Sequence, residues 1–210
     1  MEEESKVKDI VLFDMDGTLT PPRKKISRSV IRKLKELSEI ADIGIVTGSG
    51  YDYLVQQCKE MWLDIGTVSP SRITLLPCNG TQVYQFEKKK WVKTHSANMR
   101  EHLGSRSFDA IMKGISLNQF FHMNTDPEHC FTGHFISYRE SLINWCPVGR
   151  NADDSERLGF IEWDTKNKTR KNLVTNLKLY LSSQKIDGVV LALGGSTSID
   201  IFPAGWDKTY

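Results

Sequence analysis

"VLFDMDGTLT", Val11 to Thr20, decides how this chain is read. With the two residues before it, the stretch "DIVLF" has the composition of a buried strand. It runs straight into two aspartates one residue apart and then a glycine. In extended chain, residues two apart face the same way, so Asp14 and Asp16 look at one site just past the strand. Carboxylates that close repel unless a cation offsets them. Mg2+ favours carboxylate and phosphate oxygens. With such an ion present, one carboxylate can attack phosphorus and form an aspartyl phosphate. The other can donate or accept the proton of the leaving or attacking oxygen. Gly17 lets the chain turn, and its amide, with that of Thr18, is expected to bind a phosphate oxygen. A calcium loop is excluded. Counted from Asp14, it needs Gly at its sixth position and Glu at its twelfth, where this chain has Leu19 and Lys25.

The neighbouring segments give the strand its setting. After "PPRKK", Ser27 is a predicted N-cap, and Val30, Ile31, Leu34 and Leu37 follow at helical spacing. "DIGIV" is a second strand, "TGSG" a turn, "YDYLVQQCKEMW" a second helix and "RITLLP" a third strand. Residues 7–77 thus alternate β-α-β-α-β, the pattern of a parallel, doubly wound sheet. Ligands of such sheets sit at the carboxyl ends of the strands, where both the aspartates and "TGSG" lie. The pattern then changes. "TQVYQFEKKKWVKTH" reads as a hairpin, "NMREHLGSRSFDAIMKGI" as a helix weakened at Gly104, and "FFHMNT", "TGHFISYRE" and "LINWCPVG" as strands. One or two helices follow, with Leu173, Leu177 and Leu181 on one face, and then the strands "VVLALGG" and "STSIDIFP". The domains expected are a first core segment over 1–81, an inserted α+β block over 82–203, and a returning core segment over 204–210.

The bulk numbers exclude several classes. The 210 residues suffice for one large or two small domains. With 28 basic and 26 acidic residues, the net charge of +2 lacks the basic bias of a nucleic-acid binder. No apolar run approaches the roughly 20 residues of a membrane helix, and the charged "MEEESKVKD" start has no signal-peptide core. Cys58, Cys78, Cys130 and Cys146 form no CxxC and read as reduced thiols of a cytosolic protein. The Asn-x-Thr matches at Asn79 and Asn167 then carry no glycan. "EHCFTGH" fits no zinc spacing. "EKKK" and "KNKTRK" read as solvated turns or helix faces, and the five tryptophans as packing residues.

"FDMDGTLT" resembles the first motif of haloacid-dehalogenase-type phosphotransferases. The longer set "FDMDGTLTPPRKKIS", "IGIVTGS", "NGT", "PVGRNADDSER" and "GGSTSIDIFPAGWDKTY" resembles the eukaryotic phosphomannomutase family. That resemblance implies a Rossmann-like core with an inserted α+β cap, Mg2+ as cofactor, and reversible transfer of phosphate between the 6- and 1-positions of mannose. It implies a hexose 1,6-bisphosphate activator, hexose phosphates as substrates, a role in GDP-mannose synthesis, a cytoplasmic location and a homodimer made through the cap. Asp14 would be nucleophile and metal ligand. Asp16 would be general acid/base, ligating the metal through its backbone carbonyl. Thr47 or Ser49 would be the second-motif hydroxyl and Lys208 the third-motif cation. Arg23 would contact the sugar phosphate from the core, and Arg139 and Arg150 the distal phosphate from the cap. Ser198 and Asp200, two apart in a strand, would hold sugar hydroxyls or phosphate.

Arginine suits the assigned phosphate roles, because its planar fork matches phosphate oxygens and never loses its charge. A mutase needs two such clusters, one at each phosphate of the bisphosphate. A sugar-phosphate phosphatase on the same scaffold needs one. Thr132 stands where the family usually has a further cap arginine, and Ser196 where it has Met or Gln. The family also continues past "WDKTY" into a segment bearing another metal-binding acid. The expectation is therefore that this polypeptide alone is weakly active or inactive, and poorly stable. A non-catalytic, truncated paralogue that binds sugar phosphates or pairs with a full-length subunit is the remaining alternative.

Overall fold

The computed structural model describes residues 9–21, 23–63, 66–125 and 131–210. The N-terminal "MEEESKVK" and Cys130, read above from sequence, lie outside them. Two units divide the chain. One runs up to Ser96 and returns with Trp206–Tyr210; the other is Ala97–Gly205.

In the first unit the run before the aspartates becomes β1 (Ile10–Asp14), followed by α1 (Arg28–Ser38) and β2 (Asp42–Val46). Then come α2 (Tyr51–Cys58), α3 (Glu60–Leu63), β3 (Ile73–Leu76) and the hairpin β4 (Gln82–Glu87) and β5 (Lys90–Ser96). The Ser27 side chain caps α1 by accepting from the Val30 amide. β1, β2 and β3 pair in parallel in that order, with Asp14 level with Val46. Strands added in one direction by right-handed crossovers place their helices on one side. α1, α2 and α3 accordingly share one core with Ile43, Ile45, Ile73 and Leu75, rather than winding over both faces of the sheet.

The hairpin corrects the expected boundary at 81/82. β4 pairs antiparallel with β3, Thr74 opposite Gln85 and Leu75 opposite Tyr84, so the five-stranded sheet holds the chain to Ser96. Aromatic contacts fix it there. Tyr84 stacks on Tyr51 with ring centroids 4.1 Å apart, and Trp91 meets Trp62 edge-on at 5.1 Å. Lys88 and Lys89 turn the hairpin in left-handed conformations.

The second unit holds α4 (Met99–Leu103), α5 (Ser105–Thr125), β6 (Ile136–Tyr138), β7 (Ile143–Trp145), α6 (Asp154–Asn167), α7 (Thr169–Ser183), β8 (Val189–Gly194) and β9 (Ser198–Pro203). Its sheet has the order β6-β7-β9-β8, antiparallel throughout. Gly104, at φ +77°, breaks α4 from α5 as expected. "FFHMNT", expected as a strand, is instead the end of α5. The buried residues Phe108, Ile111, Ile115, Gln119 and His122 continue one helical stripe through it. Lys168, at φ +56°, separates α6 from α7. Among the described residues no helix is long and apolar enough to cross a membrane.

β1 is an edge strand of its sheet. On the face away from the helices Ile10 is 48% and Leu12 57% exposed. Exposed apolar edge strands template association. Replacing Leu12 by lysine should raise the fraction of protein left in solution after mild heating. The unfolding midpoint should stay put, since surface changes move stability by only about 0.5 kcal/mol. Sedimentation or light scattering with a parallel melting curve checks this.

Candidate active site

The turn after β1 is built around one carbonyl. The Met15 oxygen accepts from the amides of Thr18 (3.3 Å), Leu19 (3.0 Å) and Thr20 (3.0 Å), and from the Thr20 hydroxyl (3.3 Å). Met15 itself is fully buried, so Asp14 and Asp16 on either side of it point outward. Gly17, at φ +83°, makes the turn as expected. Its amide, however, donates to the Thr20 carbonyl at 2.7 Å, and the Thr18 amide to Met15. The expected phosphate-binding pair of amides is thus spent inside the turn.

Lys208 returns from the far end of the chain to ion-pair with Asp14, Nζ to Oδ1 at 2.6 Å. Two contacts anchor this tail, and a third lies within it. The Asn79 side-chain amide donates to the Trp206 carbonyl (3.4 Å), His95 and Tyr210 stack, and Trp206 meets Tyr210 edge-on. Asn79, left-handed at φ +64°, belongs to the "NGT" motif.

Asp16 has a partner that the sequence reading missed. Gln57, 3% exposed on α2, accepts from the Thr20 hydroxyl (2.7 Å) and donates to Asp16 Oδ1 (3.5 Å). A glutamine among Leu54, Cys58 and Met61 on an otherwise apolar buried face was the available signal. Burial raises the Asp16 carboxyl above its usual range and the Asp14 charge adds to this; Gln57, the Arg23 backbone amide and Lys208 oppose it. Arg23 is exposed in the loop between β1 and α1, at φ +61°. Thr47, at the end of β2, is 2% exposed. Its hydroxyl accepts from the Ser49 amide (3.1 Å) and its carbonyl from the Asn79 amide (2.8 Å), while the Ser49 carbonyl accepts from Cys78 (2.9 Å). The two hydroxyl candidates thus shape one loop at the carboxyl ends of β2 and β3.

A second polar cluster lies on the sheet of the second unit. Asn144 on β7 is level with Asp200 on β9. Its amide donates to Asp200 Oδ1 at 2.7 Å, and its oxygen accepts from Arg150 Nη1. Burial raises the Asp200 carboxyl above its usual range; Asn144, Arg139 and Arg150 pull the other way. Gly194 leaves room for this carboxylate, since a Cβ there would come within 2.4 Å of Asp200 Oδ2. Ser198 shares the face of Asp200 and is 9% exposed. Alternate residues Ile199 and Ile201 are fully buried on the other face. The sequence missed Asn144, because only the strand register places it beside Asp200. Thr132, at the position of a usual family arginine, spends its hydroxyl on the Val148 carbonyl (3.1 Å).

A three-stranded parallel core, paired aspartates after its first strand and an α+β insertion are the arrangement of the haloacid-dehalogenase fold. Plasmodium falciparum IMP-nucleotidase shares this fold, with a TM-score of 0.60 at 14% identity over 94% of this chain and 53% of that one. So does the C-terminal domain of Candida albicans trehalose-6-phosphate phosphatase, with a TM-score of 0.59 at 18% identity over 96% and 59%. This chain spans between half and three fifths of those two. A sequence model of the eukaryotic phosphomannomutase family matches residues 30–210. The phosphomannomutase of Schizosaccharomyces pombe is 33% identical over all of this chain and 76% of its own length. That of Saccharomyces cerevisiae is 32% identical over 98% and 74%, and phosphomannomutase 1 of Homo sapiens 32% over 98% and 72%. The chain belongs to the eukaryotic phosphomannomutase family.

The buried Asp200 gives a pH test. A carboxyl raised by burial favours the fold most below its ordinary pKa of about 4 and loses that contribution as pH rises through the folded value. Asp200→Asn should therefore raise the urea midpoint at pH 7, and the difference from the parent should close as pH falls below about 4. A midpoint that drops at pH 7 would mean the arginines outweigh the burial.

Proposed function

We propose that the chain interconverts mannose 6-phosphate and mannose 1-phosphate, with Asp14 and Asp16 carrying the chemistry. The Asp14 carboxylate attacks phosphorus, the bond to the sugar oxygen breaks, and Asp16 gives that oxygen its proton. The phosphate attacked is that of a hexose 1,6-bisphosphate. The aspartyl phosphate then passes its phosphoryl group to the free 1-hydroxyl of mannose 6-phosphate, Asp16 taking that proton. The bisphosphate so formed reorients and gives its 6-phosphoryl group back to Asp14, leaving mannose 1-phosphate. Thr47 or Ser49 steadies the transferring group by its hydroxyl, Lys208 its negative charge, and Arg23 the sugar phosphate near the core. Arg139, Arg150, Ser198 and Asp200 take the substrate's other end.

The cation that suits the first site is Mg2+. Among the described residues no three His, Cys, Asp or Glu side chains gather into a closed metal cage. Mg2+ commonly binds through one or two carboxylates and completes its shell with water and phosphate, so Asp14 and the Asp16 backbone fit it. When bound, it neutralises charge on the phosphoryl oxygens. Lys208 already supplies one positive charge to Asp14.

The observation that carries the mutase reading is the cluster of Arg139, Arg150, Asn144 and Asp200 in the second unit. A phosphatase has no need of a second phosphate clamp. Leu117, Phe120, Phe121 and Met123, all more than 40% exposed at the end of α5, support a homodimer through this unit. Their uncharged aromatic surface matches a second copy of itself. The product would feed GDP-mannose synthesis in the cytoplasm.

Two measurements test this. Asp14→Asn should abolish turnover of mannose 1-phosphate, by a factor of at least about 1,000 for loss of a covalent nucleophile. Arg150→Gln should raise KM for hexose phosphates about tenfold or more, the worth of one charge-assisted hydrogen bond. It should leave hydrolysis of p-nitrophenyl phosphate untouched. Release of inorganic phosphate in place of isomerised sugar would make the chain a phosphatase.

A further inference from the structure

The segment joining β8 to β9, Gly194-Gly195-Ser196-Thr197-Ser198, leads directly into the strand that carries Asp200. Gly195 is left-handed at φ +51°, and a glycine-rich turn has much conformational freedom to lose on ordering. Two arginines from the neighbouring helices hold it. Arg170, near the start of α7, donates from Nη1 to the carbonyls of Gly195 (3.1 Å) and Ser198 (3.2 Å). Its Nε donates to Asp164 Oδ2 and its backbone amide to Asp164 Oδ1, both at 2.7 Å. Both side chains of this pair are only 11% exposed. Arg157 donates from Nη2 to the hydroxyl of Thr197, which is 1% exposed and also accepts from the Cys146 thiol at 3.7 Å.

We infer that Arg170, locked by Asp164, is a positioning residue for substrate binding: it fixes the 194–198 turn so that Ser198 and Asp200 are presented together. This rests on the proposed role of those two residues. Asp164 holds Arg170 by two hydrogen bonds across the break at Lys168, so the guanidinium is set before any ligand arrives. Preorganisation of this kind lowers the ordering cost of binding. Lysine, a compact ammonium without a planar fork, cannot reproduce the set of contacts made by Nε and Nη1.

Arg170→Lys and Asp164→Asn, each in the full chain, test the inference, with Ser198→Ala as control. In ligand-free protein, amide exchange at Thr197–Ile199 should speed up at least about tenfold, the loss of one such contact. Exchange at Ile111 and Ile115 in α5 should not change. KM for mannose 6-phosphate should rise by a similar factor with kcat within about twofold of the parent. If Arg170→Lys does not fold, the isosteric Asp164→Asn carries the test. Unchanged exchange at the turn overturns the inference whatever the function. A KM that moves in Ser198→Ala but in neither positioning variant also overturns it. A KM that moves in none of the three removes the substrate reading on which it rests.

Discussion

Two carboxylates separated by one buried methionine are the constraint around which the first unit is arranged. Period-two geometry puts Met15 in the core and both acids outside it, and the polypeptide cannot satisfy one demand without the other. The tight turn that follows uses the Met15 carbonyl as a common acceptor. That choice fixes Asp16 over Gln57 and Thr20 and leaves Asp14 to find a cation elsewhere. It finds one in Lys208, 194 residues away in sequence. The tail's anchoring through Asn79, His95 and Tyr210 is therefore tied to charge balance at the end of β1 as well as to packing.

The second unit meets a similar problem with different means. Asp200 is a buried carboxylate whose ionisation the fold disfavours, yet it sits beside two arginines and an amide. A hydrophobic residue at that place would be less costly to bury. Groups that weaken a fold while carrying polar function are common in binding sites. Asn144 makes the arrangement coherent, since its amide serves the carboxylate and its oxygen the guanidinium. The sheet separates the two tasks by face. Ile199 and Ile201 secure the core, and Ser198 and Asp200 face the other way.

Much of this was legible from local pattern. The aspartates, the α1 cap at Ser27, the parallel pairing of the first strands and the helix break at Gly104 follow from period, capping and backbone freedom, whereas the break at Lys168, a residue with no special freedom, shows only in the structure. The hairpin boundary did not, because nothing local in "TQVYQFE" reveals that Tyr84 will stack on Tyr51. "FFHMNT" misled for a related reason. Its aromatic content favours a strand, but the stripe begun at Phe108 extends through it and tertiary burial decides. The amides of Gly17 and Thr18 were identified by type, and only the turn's own hydrogen bonding shows that they are used internally.

Arginine poses the sharpest version of this difficulty, because structural and substrate-binding guanidiniums are alike in sequence. Their partners separate them. Arg72 donates to the Ser38 carbonyl and pairs with Asp42, tying the end of α1 to the start of β2. Arg170 is seated on Asp164. A guanidinium already neutralised by a well-placed carboxylate gains little from a phosphate, because the new charge must displace the old one. Arg150 bonds the side chain of Asn144 and also acts on the Asp200 carboxylate, whose ionisation burial disfavours. An arriving dianion can outcompete an amide oxygen, and Asn144 would keep its bond to Asp200 while it does so. The arginines thus divide by placement: Arg72 and Arg170 tie elements of the fold together, and Arg150 joins the polar cluster of Asn144 and Asp200.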